Sequence, residues 1–380
     1  MFRHTLARTP ALLVGAISLT LVAACSSGAP ATAPPAASSP AAAKPAATAA
    51  PSVAPTAPAA APAAAEPTVL KMTDLQITSQ AGYYIAQEKG YPREQGVRLE
   101  YVRGNPADML PLVVSGQVEI GAGAISAGLF NAFARGIPVK MVADAGDNLA
   151  NASAGGVVFR KDLYDSGAVR EPADLRGRKI ASATQASAPD IALDKYLSSG
   201  GLSMADLDVT VLPFPDILSA FDNKNVDAAY YQEPFTTIGI ERGLIVRGPI
   251  GYDVYPNHQI GVTLFGQRLL GDRPLAVRYM KAYVRGVRDY VRALIDRDPA
   301  AFDEIVPILI ERTTVKERAL FEKAIPSGLR RDPVPNVQSI VHDQEWYLAH
   351  GHQTQRINVQ DFVDVSFVEE AIRQLGPDAR

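Results

Sequence analysis

Apolar and polar positions switch between two periods along most of this chain, and residues 113–145 show the unit that is repeated. Helical spacing stops at Ser115-Gly116, because a glycine just past the last apolar repeat ends a helix. Val118-Glu119-Ile120-Gly121 predicts a short strand. Gly121, Ala122, Gly123, Ala124 and Ser126 follow as a loop small enough for a ligand to approach the backbone. A helix capped near Ser126 runs to Ala134 and stops at Gly136. Ile137 to Ala143 is almost wholly apolar, as in a strand buried on both faces. A helix N-terminus behind such a loop offers free N–H groups and partial positive charge, so the unit can cradle a ligand. The same pattern also fits a plain β-α-β connection with nothing bound.

The unit recurs on both sides of this stretch. Before it, strands are predicted at 69–72 and 97–102, with helices at 81–89 and 105–115. After it come strands at 156–159 and 209–212, a turn and strand over 172–182, and helices at 190–197 and 214–221. Asn223 to Tyr230 repeats the logic of Gly116 to Gly121: helix end, acid-bearing short strand, then loop and helix. Strands alternating with helices at this spacing predict parallel α/β sheets. The expected division is a first lobe of residues 67–158 plus 258–380 and a second of 159–257, with two crossings forming a hinge.

From Arg273 onward the chain reads as helical. Val277, Met280, Val284, Val287, Val291 and Leu294 form a core-facing stripe. Arg278, Lys281, Arg285, Arg288 and Arg292 run beside it and read as a solvated face. Trp346 reads as core, and His350 and His352, at a Gly-containing helix end, as solvated turn residues.

The first residues break the pattern. Arg3, His4 and Arg8 precede an apolar run from Ala11 to Ala24, too short to span a bilayer comfortably and suited to a signal peptide, residues 1–24. The run ends Leu21-Val22-Ala23-Ala24-Cys25-Ser26-Ser27, which resembles the bacterial lipobox. That resemblance implies diacylation of Cys25, cleavage before it, and a protein lipid-anchored on the extracytoplasmic face of the cell membrane. Residues 26–66 are nearly all Ala, Pro, Ser and Thr; recurrent prolines and the lack of large apolar side chains predict a disordered tether. With Cys25 at its head, this segment spans 25–66 and could reach on the order of 100 Å if extended.

Composition removes several functions. A net charge of −3 argues against a nucleic-acid partner. One cysteine and five scattered histidines leave no metal-ligand spacing, and no internal disulfide can form. No Gly-x-Ser-x-Gly elbow and no His-Glu-x-x-His is present, so no catalytic role and no cofactor are expected.

Four stretches carry a family resemblance: GYYIAQEKGYPREQGVRLEYV, SGQVEIGAGAISAGLFNAFARGIPVKMVADAG, DLRGRKIASAT and NKNVDAAYYQEPF. They resemble solute-binding proteins of ABC importers in the nitrate, sulfonate, taurine and thiamine-precursor (pyrimidine) group, over about residues 68–375. The resemblance implies an α/β, two-lobed periplasmic-binding-protein fold of type II that closes on a small-molecule solute by hinge motion. It implies delivery to ABC permease and ATPase subunits. The related pyrimidine synthase of thiamine biosynthesis carries a cysteine-rich motif with no counterpart here, and Asp74 is followed by Leu75 where pyrimidine-binding relatives often have Trp.

In such a fold the cleft is lined by loops at strand C-termini, here 73–84, 121–128, 144–152, 182–189, 213–217 and 230–236. They contain aromatics Tyr83, Tyr84, Phe214, Tyr230, Tyr231 and Phe235 and acids Asp74, Asp144, Asp147 and Glu233. The ligand-binding candidates are Tyr83, Tyr84, Tyr230, Tyr231, Asp74, Asp144 and Glu233, with the small or polar Gln80, Gly123, Ser126, Asn148, Thr184 and Ser187. They contain no Arg or Lys. Aromatic faces with carboxylate acceptors predict a planar, nitrogen-bearing solute, such as riboflavin or a thiamine pyrimidine, held between one tyrosine of each pair. The alternatives are a sulfonate, taurine or nitrate on the helix N-termini, and an extracellular enzyme or sensor on the same scaffold.

Overall fold

The computed structural model describes residues 66–378. The signal peptide, Cys25 and the tether up to residue 65 lie outside the described residues. The first sheet takes β1 (Thr68–Asp74), β2 (Val97–Arg103), β3 (Ile120–Ala124), β4 (Lys140–Leu149) and β5 (Ala152–Ser153). The second takes β6 (Gly156–Arg160), β7 (Lys179–Ser182), β8 (Asp208–Val211), β9 (Ala228–Tyr231) and β10 (Ile245–Ile250). The chain then returns to the first sheet as β11 (Gln259–Phe265). The strand orders are β2-β1-β3-β11-β4-β5 and β10-β6-β9-β7-β8. The change of sheet falls between Ser153 and Gly156, so the expected break at 158/159 cuts through β6.

Neither sheet is wholly parallel, which departs from the expectation. β11 runs antiparallel between β3 and β4, and β6 runs antiparallel to both β9 and β10. β11 and β6 are strands that have just crossed between sheets, and the short β5 is antiparallel because it turns straight back on β4. Gln259 enters opposite Asp147, and Gly156 enters opposite Tyr231, each at the end where neighbouring strands finish. A strand entering from that end can only run against its neighbours.

Every residue of β11 is buried, as a central strand covered on both faces must be. Helix Ala81–Glu88 packs on the long helix Arg273–Tyr290, and glycine sets their separation. A Cβ on Gly286 would lie 2.0 Å from the Gly82 carbonyl oxygen, so only glycine fits there. The apolar stripe of the long helix is buried as expected. Three residues of its basic stripe are tied down: Arg285 to Glu94, Arg288 to Asp332 at 2.7 Å and Arg292 to Asp298 at 3.0 Å.

Candidate functional site

A narrow cleft separates the two sheets, with about 510 Å³ of atom-free space including its mouth. Its floor is backbone-like, made by Gly123, Ala124, Ala145, Gly146 and Gly261 at adjoining strand ends of the first sheet. A Cβ on Gly261 would approach the carbonyl oxygens of Ala145 and Gly123 to 3.0 and 3.2 Å, so the close strand spacing here needs glycine. Leu75, Ile77 and Ile260 form one apolar wall, and Phe214 and Pro189 of the second lobe face them. The polar groups on the lining are Ser79, Thr184, Tyr230 and Gln232, and among the described residues no charged side chain lines the cleft. Tyr230 donates to Asn148 Oδ1 at 3.3 Å, which also accepts from Ser153 at 2.8 Å. Gln232 is only 8% exposed, and its Oε1 is buried without a hydrogen-bond partner.

Of the residues expected from sequence, Gly123, Thr184 and Tyr230 border this space. The two tyrosine pairs do not form a clamp. Tyr83 points into the first lobe, stacked on Tyr283 at 4.2 Å with its hydroxyl 2.6 Å from that of Thr263. Tyr84 is buried and donates to Asp74 and Gln80 at 2.7 and 2.9 Å. Tyr231 is packed with Phe214, Phe221 and Phe235 and donates to the Phe214 carbonyl at 2.5 Å. The reason is directional. Adjacent residues on a strand face opposite sides, and the first helix turns Tyr83 and Tyr84 toward the helical layer and β2.

The expected carboxylate acceptors are already engaged. Asp74 accepts from Tyr84 and from the Gln76 N–H at 3.1 Å, with Arg103 4.0 Å away. Glu233 pairs with Arg247 at 2.6 Å and accepts the Thr237 N–H. Asp144 accepts the Gly146 and Arg330 N–H groups and the Gln259 carboxamide. Burial, with the charge of Asp147 nearby, pushes the Asp144 carboxyl up from 3.8 to about 7, against those hydrogen bonds. Arg330 binds Asp147 at 2.6 Å. The cations missing from the six loops therefore arrive from elsewhere in the chain, Arg247 on β10 and Arg330 after the long helix, and neutralise acids behind the lining. Gln80 is likewise internal, donating to the Thr73 and Ala122 carbonyls.

Ser126 and Ser187 join the lobes instead of lining the cleft. They face each other in an antiparallel bridge, with Ala127 N–H donating to the Ala186 carbonyl at 2.9 Å and Ala188 N–H to the Ile125 carbonyl at 2.8 Å. Each serine is the N-cap of a helix, Ala127–Ala134 and Ala188–Ser198. The first N–H of both helices is thus used by the opposite lobe. Ser187 also shares a capping box with Asp190, whose carboxyl burial raises from 3.8 to about 6. Trp346 is half-buried, not core, and donates Nε1 to Asp194 across the lobes at 2.9 Å. His350 and His352 stack on its ring at 4.0 and 5.5 Å.

Gln232 and Ser79 escaped the sequence candidates, and Phe214 is expected from sequence only as an aromatic of a cleft loop. Strand alternation held the signal for the first: Gln232 lies two residues beyond Tyr230, on the same side.

Residues 77–262 match the family described as NMT1/THI5 like. A curated relative, 4-amino-5-hydroxymethyl-2-methylpyrimidine phosphate synthase of Aspergillus parasiticus, is 26% identical over 257 residues, 64% of this chain and 71% of the relative. The periplasmic nitrate-binding protein NrtA of Synechocystis superposes with a TM-score of 0.68 at 15% identity, covering 82% of this chain and 89% of that one. The alkanesulfonate-binding protein SsuA of Xanthomonas axonopodis, solved with MOPS, gives 0.60 at 21% identity, covering 79% and 99%. Residues 77–262 are therefore similar to the NMT1/THI5-like family, and the chain shares the two-lobed α/β fold of the nitrate- and alkanesulfonate-binding proteins.

Proposed function

We propose that this protein is the extracytoplasmic solute-binding component of an ABC importer, capturing a neutral, planar, nitrogen-bearing molecule such as riboflavin or a thiamine pyrimidine. The observation that carries the reading is the cleft lining: apolar walls, a flat floor of small residues, and polar groups that are all uncharged. Apolar surface holds a ring, and a few placed polar groups fix its orientation. A bare oxyanion would lose its hydration with no cation on the lining to offset the cost. The kinship with a pyrimidine phosphate synthase and with importer-type binding proteins supports a small-molecule ligand. A binding role fits better than turnover, since the only cysteine is Cys25, far from the cleft-forming segments in sequence.

The test is a thermal-shift panel of riboflavin, 4-amino-5-hydroxymethyl-2-methylpyrimidine, taurine and nitrate on ligand-stripped protein, followed by product analysis of the bound compound. Stabilisation by a ring compound recovered unchanged is the expected result. Tightest binding of taurine or nitrate would instead support the sulfonate and nitrate reading, and chemical conversion an enzyme.

Anchoring through Cys25 belongs to the same proposal. No helix of the described residues is long and apolar enough to cross a membrane. Cys25→Ser should move the protein from the salt-washed membrane fraction to the soluble one; retention on the membrane would refute the anchor.

A further inference from the structure

Gln232 stands out among the groups lining the cleft. It follows β9 directly, and its backbone carbonyl accepts from the Thr236 N–H and hydroxyl at 3.1 and 3.3 Å. The next residue, Glu233, is fixed by Arg247 and by the Thr237 N–H, and its carbonyl accepts from Thr78 of the first lobe at 3.2 Å. The backbone beneath the side chain is therefore held on several sides. The side chain itself is more than nine-tenths buried, borders the cleft, and leaves Oε1 with no partner. A buried acceptor without a donor is costly, and a ligand donor placed there would recover that cost. A carboxamide offers an acceptor and a donor side by side, so it pairs with an edge carrying a donor next to an acceptor, as glutamine does with adenine. Rotating the group could turn its NH₂ toward an anion, but one neutral donor does not offset the desolvation of a charge.

We infer that Gln232 is the selectivity residue of the cleft, forming a two-point hydrogen bond with the edge of a neutral heterocycle that presents an N–H beside a carbonyl or ring nitrogen. This rests on the proposed solute-binding function and narrows its ligand class to cyclic imides and amino-heterocycles. Leu75 and Ile77 against Phe214 supply the apolar faces for the ring, and Gln232 reads its edge.

The experiment is isothermal titration of the full chain, stripped of ligand by unfolding and refolding, with two matched probe pairs. One pair is lumiflavin and 3-methyllumiflavin; the other is 4-amino-2-methylpyrimidine and its 4-dimethylamino analogue. Each second member keeps the ring and loses the donor. One parent ring should bind at least about tenfold more tightly than its methylated partner, a factor within reach of one lost two-point contact. In Gln232→Leu, with an unchanged melting temperature, that preference should collapse to within about twofold. A parent ring that binds the wild type and its methylated partner equally, or a preference that survives in Gln232→Leu, overturns the inference while the solute-binding reading stands. The wild-type comparison needs no variant, so misfolding of Gln232→Leu cannot hide the answer. Failure of both parent rings to bind overturns the inference together with the reading beneath it.

Discussion

Tyr83, on the helix Ala81–Glu88, and Tyr230, at the end of β9, do different work. Tyr83 is stacked on Tyr283 within the largest core cluster, whereas Tyr230 borders the cleft. Tyr83→Ala should therefore cost roughly 3–5 kcal/mol of stability, the range for emptying a large buried aromatic site. Denaturant unfolding measures that loss, and ligand affinity should hold wherever the variant remains folded. Asp190 gives a pH-dependent counterpart. Its carboxyl is raised from 3.8 to about 6 by burial, while Ser182 and Ser187 donate to it. A carboxyl raised on folding keeps its proton longer in the folded chain than in the unfolded one. Its contribution is thus complete below about pH 4 and is lost as pH rises through about 6, worth on the order of 3 kcal/mol. The stability of the wild type relative to Asp190→Asn should accordingly fall between pH 4 and pH 7. A pH-independent difference would contradict this assignment.

At the scale of elements, the two helix N-termini at Ser126 and Ser187 set the lobe contact. A proline at the first helical position is compatible with the helix, and Ser126, at φ −147° and ψ 157°, has the extended geometry that a following proline requires. Ala127→Pro should therefore preserve helix Ala127–Ala134 while removing the N–H that crosses to Ala186. The ring Cδ would stand where that N–H points, on a nitrogen only 2.9 Å from the carbonyl oxygen, so the lobes could not meet there. Small-angle scattering should show a larger radius of gyration than wild type, and affinity for the best panel ligand should drop about tenfold or more. Unchanged scattering and affinity would mean that the bridge plays no part in closure. Ala186 itself, at φ +48°, holds a backbone conformation unusual for a side-chain-bearing residue, with its carbonyl turned toward Ala127.

Across the whole molecule, the single tryptophan is a natural reporter. Trp346 lies in helix Val337–Ala349, stacks with His350, and reaches Asp194 on the second lobe. Separation of the lobes must break that hydrogen bond and expose the ring edge. Ligand binding should shift Trp346 emission to the blue in the wild type, and the shift should shrink in Asp194→Ala. An emission spectrum indifferent to ligand, in a sample shown by titration to bind it, would place Trp346 outside the moving contact.

Local order was legible in the sequence because its causes are local. Gly116 and Gly136, both at positive φ, end their helices where the apolar spacing stops, and Ser126 caps the helix between them. Of the small residues read as a loop, Gly121 to Ala124 instead continue β3, and Gly123 and Ala124 at its end do border the cleft floor. Period and capping depend on neighbours within a few residues, and these the chain states directly. Contacts between distant residues were decided only by the tertiary structure. β11 enters between β3 and β4 against their direction because the chain returns from the second lobe at the cleft end. Arg247 and Arg330 reach Glu233 and Asp147 from segments outside the predicted loops, which turns acids of the cleft loops into structural ion pairs. Of the adjacent tyrosines 230 and 231, sequence places one on each side of a strand, but packing of the second sheet against helices Phe214–Asp222 and Phe235–Glu241 chooses which side becomes core. That choice sends Tyr231 inward and brings Tyr230 and Gln232 to the cleft.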